Sequence, residues 1–553
     1  MKSDTHGARF LLAATLAAIA CMRPAAAATA AAPAQPPLEA QATLQVDAPG
    51  VRIAPEIEGQ FAEHLGAGIY GGLWVGEDSP IPNTRGLRND VVAALRRLHV
   101  PVLRWPGGCF ADQYHWRDGI GPRGQRPVTV NSNWGGVDEG NAFGTHEYYE
   151  LLQQLGAKSY INGNVGTGSP REFSEWIDYV GSASHSTIGD QRRANGRDAP
   201  WPVDYVAVGN ETWGCGGNMR AEFYADVYRQ YASFVHDAQG RKPVRIAVGP
   251  AEDDYHWTEV LMSQAAPMMD ALSLHYYTIP GGSWAHKGSA TRFGEDEWAR
   301  ALAQTLRMDE LITRHSQIMD RYDPKRRVAL FVDEWGLWHD AEPGDNPAFL
   351  VQQNTLRDAL AAALNLDLFI AHAERVRMAN IAQMVNVLQA MVLTDGPRML
   401  LTPTYHVFDL YQAFQGARRL PLQIDSPDYV HGEVRLPGLH GAAGLATDGA
   451  VHAAFVNLDP NRGVRLRLAL RGGRADGARA ILLTAPAINS HNRFGEPPVV
   501  EPRPCDCVTA SPDGLVLLLP PHALVRLDLP ATAAGRAAVA AAAAEAPAPV
   551  SEH

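Results

Sequence analysis

A (β/α)8 (TIM) barrel followed by an all-β sandwich is the fold class this sequence predicts, and three observations predict it. Between residues 60 and 400, short apolar runs alternate with longer helical patterns, the rhythm of βα units around a parallel sheet. About eight such runs occur, and nearly every one finishes in polar, aromatic or glycine residues. After about residue 400 the helical patterns give way to short runs divided by Gly, Pro and Asp turns, as in a β-sandwich.

The strand candidates are, in order, 56–66 (EIEGQFAEHLG), 100–108 (VPVLRWPGG), 158–166 (KSYINGNVG) and 203–211 (VDYVAVGNE). Then come 244–250 (VRIAVGP), 269–277 (MDALSLHYY), 327–336 (RVALFVDEWG) and 375–386 (RVRMANIAQMVN). Helical stretches separate them. Residues 89–98 place Val91, Val92, Leu95 and Leu98 at helical spacing, and 219–238 do so with Phe223, Val227, Tyr231 and Phe234. These units assign 56–398 to the barrel. Sandwich strands are read at 452–458, 464–470, 478–484, 515–520 and 523–529, within a domain assigned to 399–530. The segment 42–48 (ATLQVDA) has strand character but precedes the barrel. It is expected to join the sandwich, so 41–55 is assigned to that domain.

The two ends read differently. Lys2 and Arg9 flank an apolar run at 11–22 that is too short to span a bilayer, and the alanine-rich 25–32 offers A-x-A-type cleavage sites. Residues 1–28 therefore read as a signal peptide and 29–40 as a linker, so export to the periplasm or medium is expected. A lipoprotein reading with acylated Cys21 is disfavoured, because Ala18 rather than Leu opens the tetrapeptide. No other segment is a candidate membrane span. The tail 531–553 is low-complexity, disordered or at most partly helical.

The formal charge is −12 and no Lys/Arg block stands out, which makes nucleic acid and anionic membranes poor partners. Twelve Trp and seventeen Tyr fit a protein that offers flat apolar faces, although most aromatics fill cores. Cleavage leaves Cys109, Cys215, Cys505 and Cys507. The Cys505/Cys507 pair has no second Cys/His pair at zinc spacing. Loop thiols or a local disulfide are favoured over a metal site. No metal and no cofactor are implied.

The strand ends carry the chemistry. They are Glu63-His64, Arg104-Trp105, Asn162 to Asn164, Asn210-Glu211, His275 to Tyr277, Asp333-Glu334 and Gln383. A (β/α)8 barrel gathers its strand C-termini on one face, where active sites lie. A carboxylate after a strand is more often a solvated loop residue, so neither Glu211 nor Glu334 would be convincing alone. Their joint placement is. The interval from 211 to 334 accommodates three βα units of about 40 residues, which puts them on strands four and seven, across the barrel mouth.

Glycosidic cleavage needs a proton for the leaving oxygen and support for an oxocarbenium-like centre. A retaining enzyme supplies both with two carboxyl groups about 5–5.5 Å apart. Glu211 as acid/base and Glu334 as nucleophile fit these roles. Asn210 would hold a sugar hydroxyl, Arg104 would keep Glu334 charged, and Tyr277 would bond the nucleophile or the ring oxygen. His275 alone reads more readily as a satisfied core histidine, but at a strand tip beside Tyr277 it is counted, with Arg104, among the expected substrate-binding residues. Trp105, Trp116, Trp134 and Trp213 could stack on sugar faces or simply pack.

At these residues the chain resembles the α-L-arabinofuranosidases of glycoside hydrolase family 51, in the clan of (β/α)8 retaining hydrolases. The matching segments are 59–66, 103–127, 141–170, 208–219 (VGNETWGCGGNM), 273–278, 333–336 (DEWG), 379–390 and 401–408, with 487–502 in the sandwich. They run in order from about residue 40 to 530. The resemblance implies Glu211 as acid/base, Glu334 as nucleophile, and Glu63, Asn210, Tyr277 and Gln383 as contacts to the arabinofuranosyl unit. Cys109 falls at a further sugar-contacting position, where relatives often carry Asn. The implied activity is exo-hydrolysis of terminal α-L-arabinofuranosyl groups from arabinan, arabinoxylan or their oligosaccharides, and the resemblance is compatible with a homo-oligomer. Two rivals remain: a β-xylosidase or endo-glucanase on the same barrel, and a non-catalytic carbohydrate-binding protein, which would not need both carboxylates.

Overall fold

The computed structural model describes residues 36–544 apart from Gln239; the signal-peptide segment, Cys21 and the last nine residues lie outside them. The expected fold class is borne out. Eight parallel strands close into a barrel: Gly59–Phe61, Val102–Trp105, Lys158–Gly163, Tyr205–Val208, Val244–Ala247, Ala271–Thr278, Ala329–Leu337 and Val376–Ile381. Each pairs with its successor, and the eighth returns to the first through Asn380 opposite Gly59. They occupy the eight apolar runs of the sequence.

Inward side chains alternate along each strand. Low in the barrel Val102, Tyr160, Ala207, Ile246, Phe331 and Met378 form one buried cluster. Two residues further along the same strands stand Arg104, Asn162 and Asn380, all buried. The apolar plug therefore becomes a polar floor within one step of the pleat.

The seventh strand carries a bulge. Ser273 faces Phe331 but His275 faces Glu334, so two steps on the sixth strand span three on the seventh. The eighth strand registers the same extra residue, between Val332 and Trp335. A β-bulge of this kind re-aims side chains, and here both Asp333 and Glu334 turn inward. Asp333 bonds Tyr160 and Asn380, while Glu334 bonds Arg104 and Tyr277.

The helix Asn89–Arg97 buries Val91, Val92, Ala94 and Leu95, the face its spacing predicts. The next expected face is corrected. The helix is Ala221–Ala232, shorter than 219–238, and it buries Tyr224, Ala225, Tyr228 and Tyr231, whereas Phe223 and Phe234 are exposed. The reason is the tyrosine hydroxyl: Tyr224 donates to Val208 O at 2.7 Å and Tyr228 to Met268 O at 3.1 Å. Buried tyrosines with a partner for the O–H fill a core as phenylalanines do.

Helical structure also runs past residue 398. Pro403–Tyr411 is a buried helix capped by Thr402, and Tyr411 reaches Ala363 O and Asp367 on the helix Leu356–Ala371. The sandwich begins at Arg418. One sheet is ordered Leu422–Asp425, Leu38–Gln45, Val464–Arg471, Gly514–Leu519, Val508–Ser511. The other is Arg418–Arg419, Leu439–Leu445, Val451–Asn457, Ala523–Leu529, Arg479–Leu483, Arg503–Cys505. The strand Leu38–Gln45 starts within the stretch read as linker and pairs in parallel with Val464–Arg471. Its Leu38, Ala40, Ala42 and Leu44 join Leu466, Phe455 and Leu527 in the sandwich core. The tail carries a helix, Ala533–Ala544.

Candidate active site

The strand C-termini surround a pocket of about 270 Å3, below the range of drug-sized ligand sites and suited to a monosaccharide unit. Eight of the nine expected site residues line it: Glu63, Cys109, Asn210, Glu211, His275, Tyr277, Glu334 and Gln383. The ninth, Arg104, is buried beneath them and 1% exposed.

Arg104 organises the floor. Its guanidinium donates to Glu334 Oε1 at 2.9 Å, to Asn210 Oδ1, and to Asn162 Oδ1 at 3.3 Å. The ring of Phe61 lies 4.4 Å beneath the guanidinium carbon. A buried charge pair loses several kcal/mol per ion in desolvation and persists only when fully bonded; this one is. Tyr277 donates to the other oxygen of Glu334 at 2.8 Å, and His275 Nδ1 lies 3.6 Å from it. Burial opposes ionisation of Glu334, but His275, Arg104 and the Tyr277 hydroxyl outweigh it and hold the carboxyl below the usual range.

Glu211 lies three residues beyond the fourth strand, at φ +40°. A non-glycine residue in that region persists only where its surroundings hold it. Its Oε1 meets His275 Nδ1 at 3.0 Å. Burial and then the Glu334 charge raise its pKa, against the pull of His275. The two carboxyl groups and the imidazole approach one another within 4.8 Å. Two carboxylates, so close and displaced in opposite directions, are the arrangement of an acid and a nucleophile.

Glu63 forms the opposite wall. It accepts from the Phe110 amide at 3.0 Å, the Trp134 indole at 2.8 Å and Gln383 at 3.0 Å. Burial nevertheless pushes its carboxyl up to about 7. The backbone of Gly108 passes between the acids: a Cβ there would sit 3.2 Å from Glu63 Oε1 and 3.3 Å from Glu334 Oε1.

Cys109 lines the pocket and is disulfide-bonded to Cys215, in the loop that carries Glu211. Cys505 and Cys507 form a second bridge. Trp105 and Trp116 are fully buried packing residues, while Trp134 and Trp213 line the pocket. Trp284 and Trp338 join them, undetected in the sequence, although Trp338 lies four residues beyond Glu334 in the same run. Asp112 was also missed. It accepts the amides of Val165, Gly166 and Asn210, so it ties together the loops after strands two, three and four.

A closed eight-stranded barrel with paired carboxylates on strands four and seven defines the class of barrel glycoside hydrolases. Within that class two family models match, the α-L-arabinofuranosidase 1 domain over residues 94–296 and the α-L-arabinofuranosidase C-terminal domain over 333–523. The chain belongs to glycoside hydrolase family 51, the α-L-arabinofuranosidases. An intracellular exo-α-L-arabinofuranosidase of Bacteroides ovatus is 46% identical over 88% of this chain and 95% of its own length. α-L-Arabinofuranosidase C of Emericella nidulans is 32% identical over 75% of this chain and 84% of its own. Among solved structures, the family 51 arabinofuranosidase of Xanthomonas axonopodis pv. citri superposes with a TM-score of 0.88 at 54% identity, over 89% of this chain and all of the other. The arabinose complex of the Thermotoga maritima enzyme gives 0.79 at 29% identity, over 89% and 99%.

Proposed function

We propose that this enzyme removes terminal α-L-arabinofuranosyl groups from arabinan, arabinoxylan or their oligosaccharides by double displacement. Glu334 attacks the anomeric carbon while Glu211 protonates the departing oxygen, giving a covalent arabinosyl-enzyme. Glu211 then takes a proton from water, which displaces Glu334 with net retention. The observation that carries this reading is the pair of carboxyl groups whose nearest oxygens lie within 4.8 Å, with Glu334 lowered by His275 and Arg104 and Glu211 raised by burial and the Glu334 charge. An inverting enzyme would need about 6.5–9.5 Å to seat a water between them. The small, closed-floored pocket supports exo action on a single terminal unit.

The test is initial rates on 4-nitrophenyl α-L-arabinofuranoside, with the anomer of the first product read by NMR. Turnover with retention, lost in Glu334→Ala, is expected. A folded wild type that turns over aryl xylosides or cellulose derivatives instead would favour the xylosidase or glucanase reading. Export is part of the proposal. It rests on the 1–28 segment and on two disulfides, which persist in oxidising compartments. Cell fractionation tests it, since the Bacteroides relative is named intracellular.

A further inference from the structure

The loop that carries Glu211 has no regular structure of its own until the helix at Ala221. It coils back on itself: Glu211 O accepts the amides of Gly214 and Gly216, and Thr212 O accepts that of Met219. Its anchors to the barrel include the Asn210 amide on Asp112, Arg104 on the Asn210 side chain, the Trp213 indole on Gly249 O, and His275 on the Glu211 carboxyl. A further anchor is covalent. Cys215 is bridged to Cys109, 106 positions earlier, with Cα atoms 5.5 Å apart. Cys109 immediately precedes Phe110, whose amide holds Glu63. The bridge therefore joins the pocket wall that holds Glu63 to the wall that holds Glu211.

The sulfur also has a local role. Cys215 Sγ lies 3.6 Å from Glu211 Oε2. Oxidised, it carries no hydrogen and offers that oxygen no donor. Reduced, it would place an S–H beside Oε2, and a donor at a carboxyl oxygen favours the ionised form. We propose that the Cys109–Cys215 disulfide is a positioning element for the general acid, fixing the Glu211 loop and keeping a hydrogen-free sulfur against Oε2. The inference rests on the acid/base reading of Glu211. It goes beyond that reading by making acid catalysis, and not folding alone, depend on the oxidised bridge.

A misplaced acid slows only bond cleavages that need a proton. The experiment compares kcat/KM on 2,4-dinitrophenyl α-L-arabinofuranoside, whose leaving group needs none, with that on methyl α-L-arabinofuranoside, whose leaving group does. The enzymes are wild type, wild type reduced with dithiothreitol, Cys215→Ala and Glu211→Ala. Cys215 is exposed and reachable by the reductant. The variant separates its effect from reduction of Cys505–Cys507, and the reduced wild type covers a variant that fails to fold. Reduction and Cys215→Ala are each expected to cost about tenfold or more on the methyl glycoside and less than about threefold on the dinitrophenyl one, with Glu211→Ala giving the same pattern more deeply. Reduction should also move the alkaline limb of the pH profile down. Equal losses on both substrates, or no loss, would overturn the proposal while Glu211→Ala still discriminates between leaving groups. Should Glu211→Ala itself fail to discriminate, the acid/base reading falls and takes the inference with it.

Discussion

His275 Nδ1 stands 3.0 Å from Glu211 Oε1, and the same atom is 3.6 Å from Glu334 Oε2. One imidazole thus faces both acids. Burial disfavours its charged form, but the Glu334 and Glu211 carboxylates prevail and raise its pKa. In return it lowers both carboxyls. The proposed mechanism requires Glu334 ionised, which sets the acid limb of the pH profile, and Glu211 protonated, which sets the alkaline limb. Removing His275 raises both pKa values, so His275→Ala is expected to move both limbs to higher pH. The loss at the optimum is roughly 10- to 100-fold in kcat/KM, the worth of about 1.5–3 kcal/mol for a hydrogen bond to a charged group. A pH–rate series reads this, and a limb that moves down contradicts it.

Arg104 acts on the nucleophile from below. Arg104→Met removes the donor to Glu334 Oε1 and to Asn210 Oδ1 together. The acid limb alone is expected to rise appreciably, because Arg104 bonds Glu334 directly and reaches Glu211 only through its charge. The rate falls by about 10²–10³-fold, as for loss of a preorganised electrostatic donor. Stability falls too, by about 3–5 kcal/mol, since a buried carboxylate loses its guanidinium partner and keeps only Tyr277 and the more distant His275. Denaturant unfolding at neutral pH measures the second effect, and a variant as stable as wild type would show that the pair is not buried as described.

The helix Ala221–Ala232 offers a test of packing free of catalysis. Phe223 is 54% exposed whereas Tyr224 is fully buried and donates to Val208 O. Phe223→Ala is expected to change stability by no more than about 0.5 kcal/mol. Tyr224→Ala should cost about 3–5 kcal/mol. Thermal or denaturant unfolding of the two variants decides between the helix faces.

That helix shows where the sequence is hard to read. Phe223, Val227, Tyr231 and Phe234 and the true face through Tyr224 and Tyr228 both satisfy helical spacing, and phenylalanine looks the more apolar choice. What decides is whether a carbonyl lies within reach of the hydroxyl, which is tertiary information. The barrel strands were legible because parallel strands buried on both faces are continuous apolar runs, and their polar tips marked the mouth. Glu211 and Glu334 were accordingly found by position, whereas Glu63 and Gln383, at the same tips, drew their roles from the family resemblance. The bulge that turns both Asp333 and Glu334 inward leaves no local signal, and neither does the reach of Cys215 back to Cys109, since pairing cannot be deduced from the positions of the cysteines. Asp112 carries no signal in the sequence, because its partners are three backbone amides on other loops.

Gly108 runs so close to the acids that a methyl group would stand 3.3 Å from Glu334 Oε1 and 3.2 Å from Glu63 Oε1. Neither carboxylate can retreat freely, because Glu334 is held by Arg104 and Tyr277 and Glu63 by Phe110, Trp134 and Gln383. Gly108→Ala must therefore shift the loop or the acids. Relief of these contacts takes a few tenths of an ångström, a fraction of the ~1 Å misplacement that costs on the order of 10²-fold in rate, and overpacking costs about 1–3 kcal/mol in stability. The variant is expected to fold, to lose roughly 3- to 10-fold in kcat/KM on aryl arabinofuranosides, and to bind arabinose more weakly by calorimetry. Unaltered kinetics would mean that the loop yields without moving either carboxylate, and that the close approach of Gly108 does not set the geometry of the site.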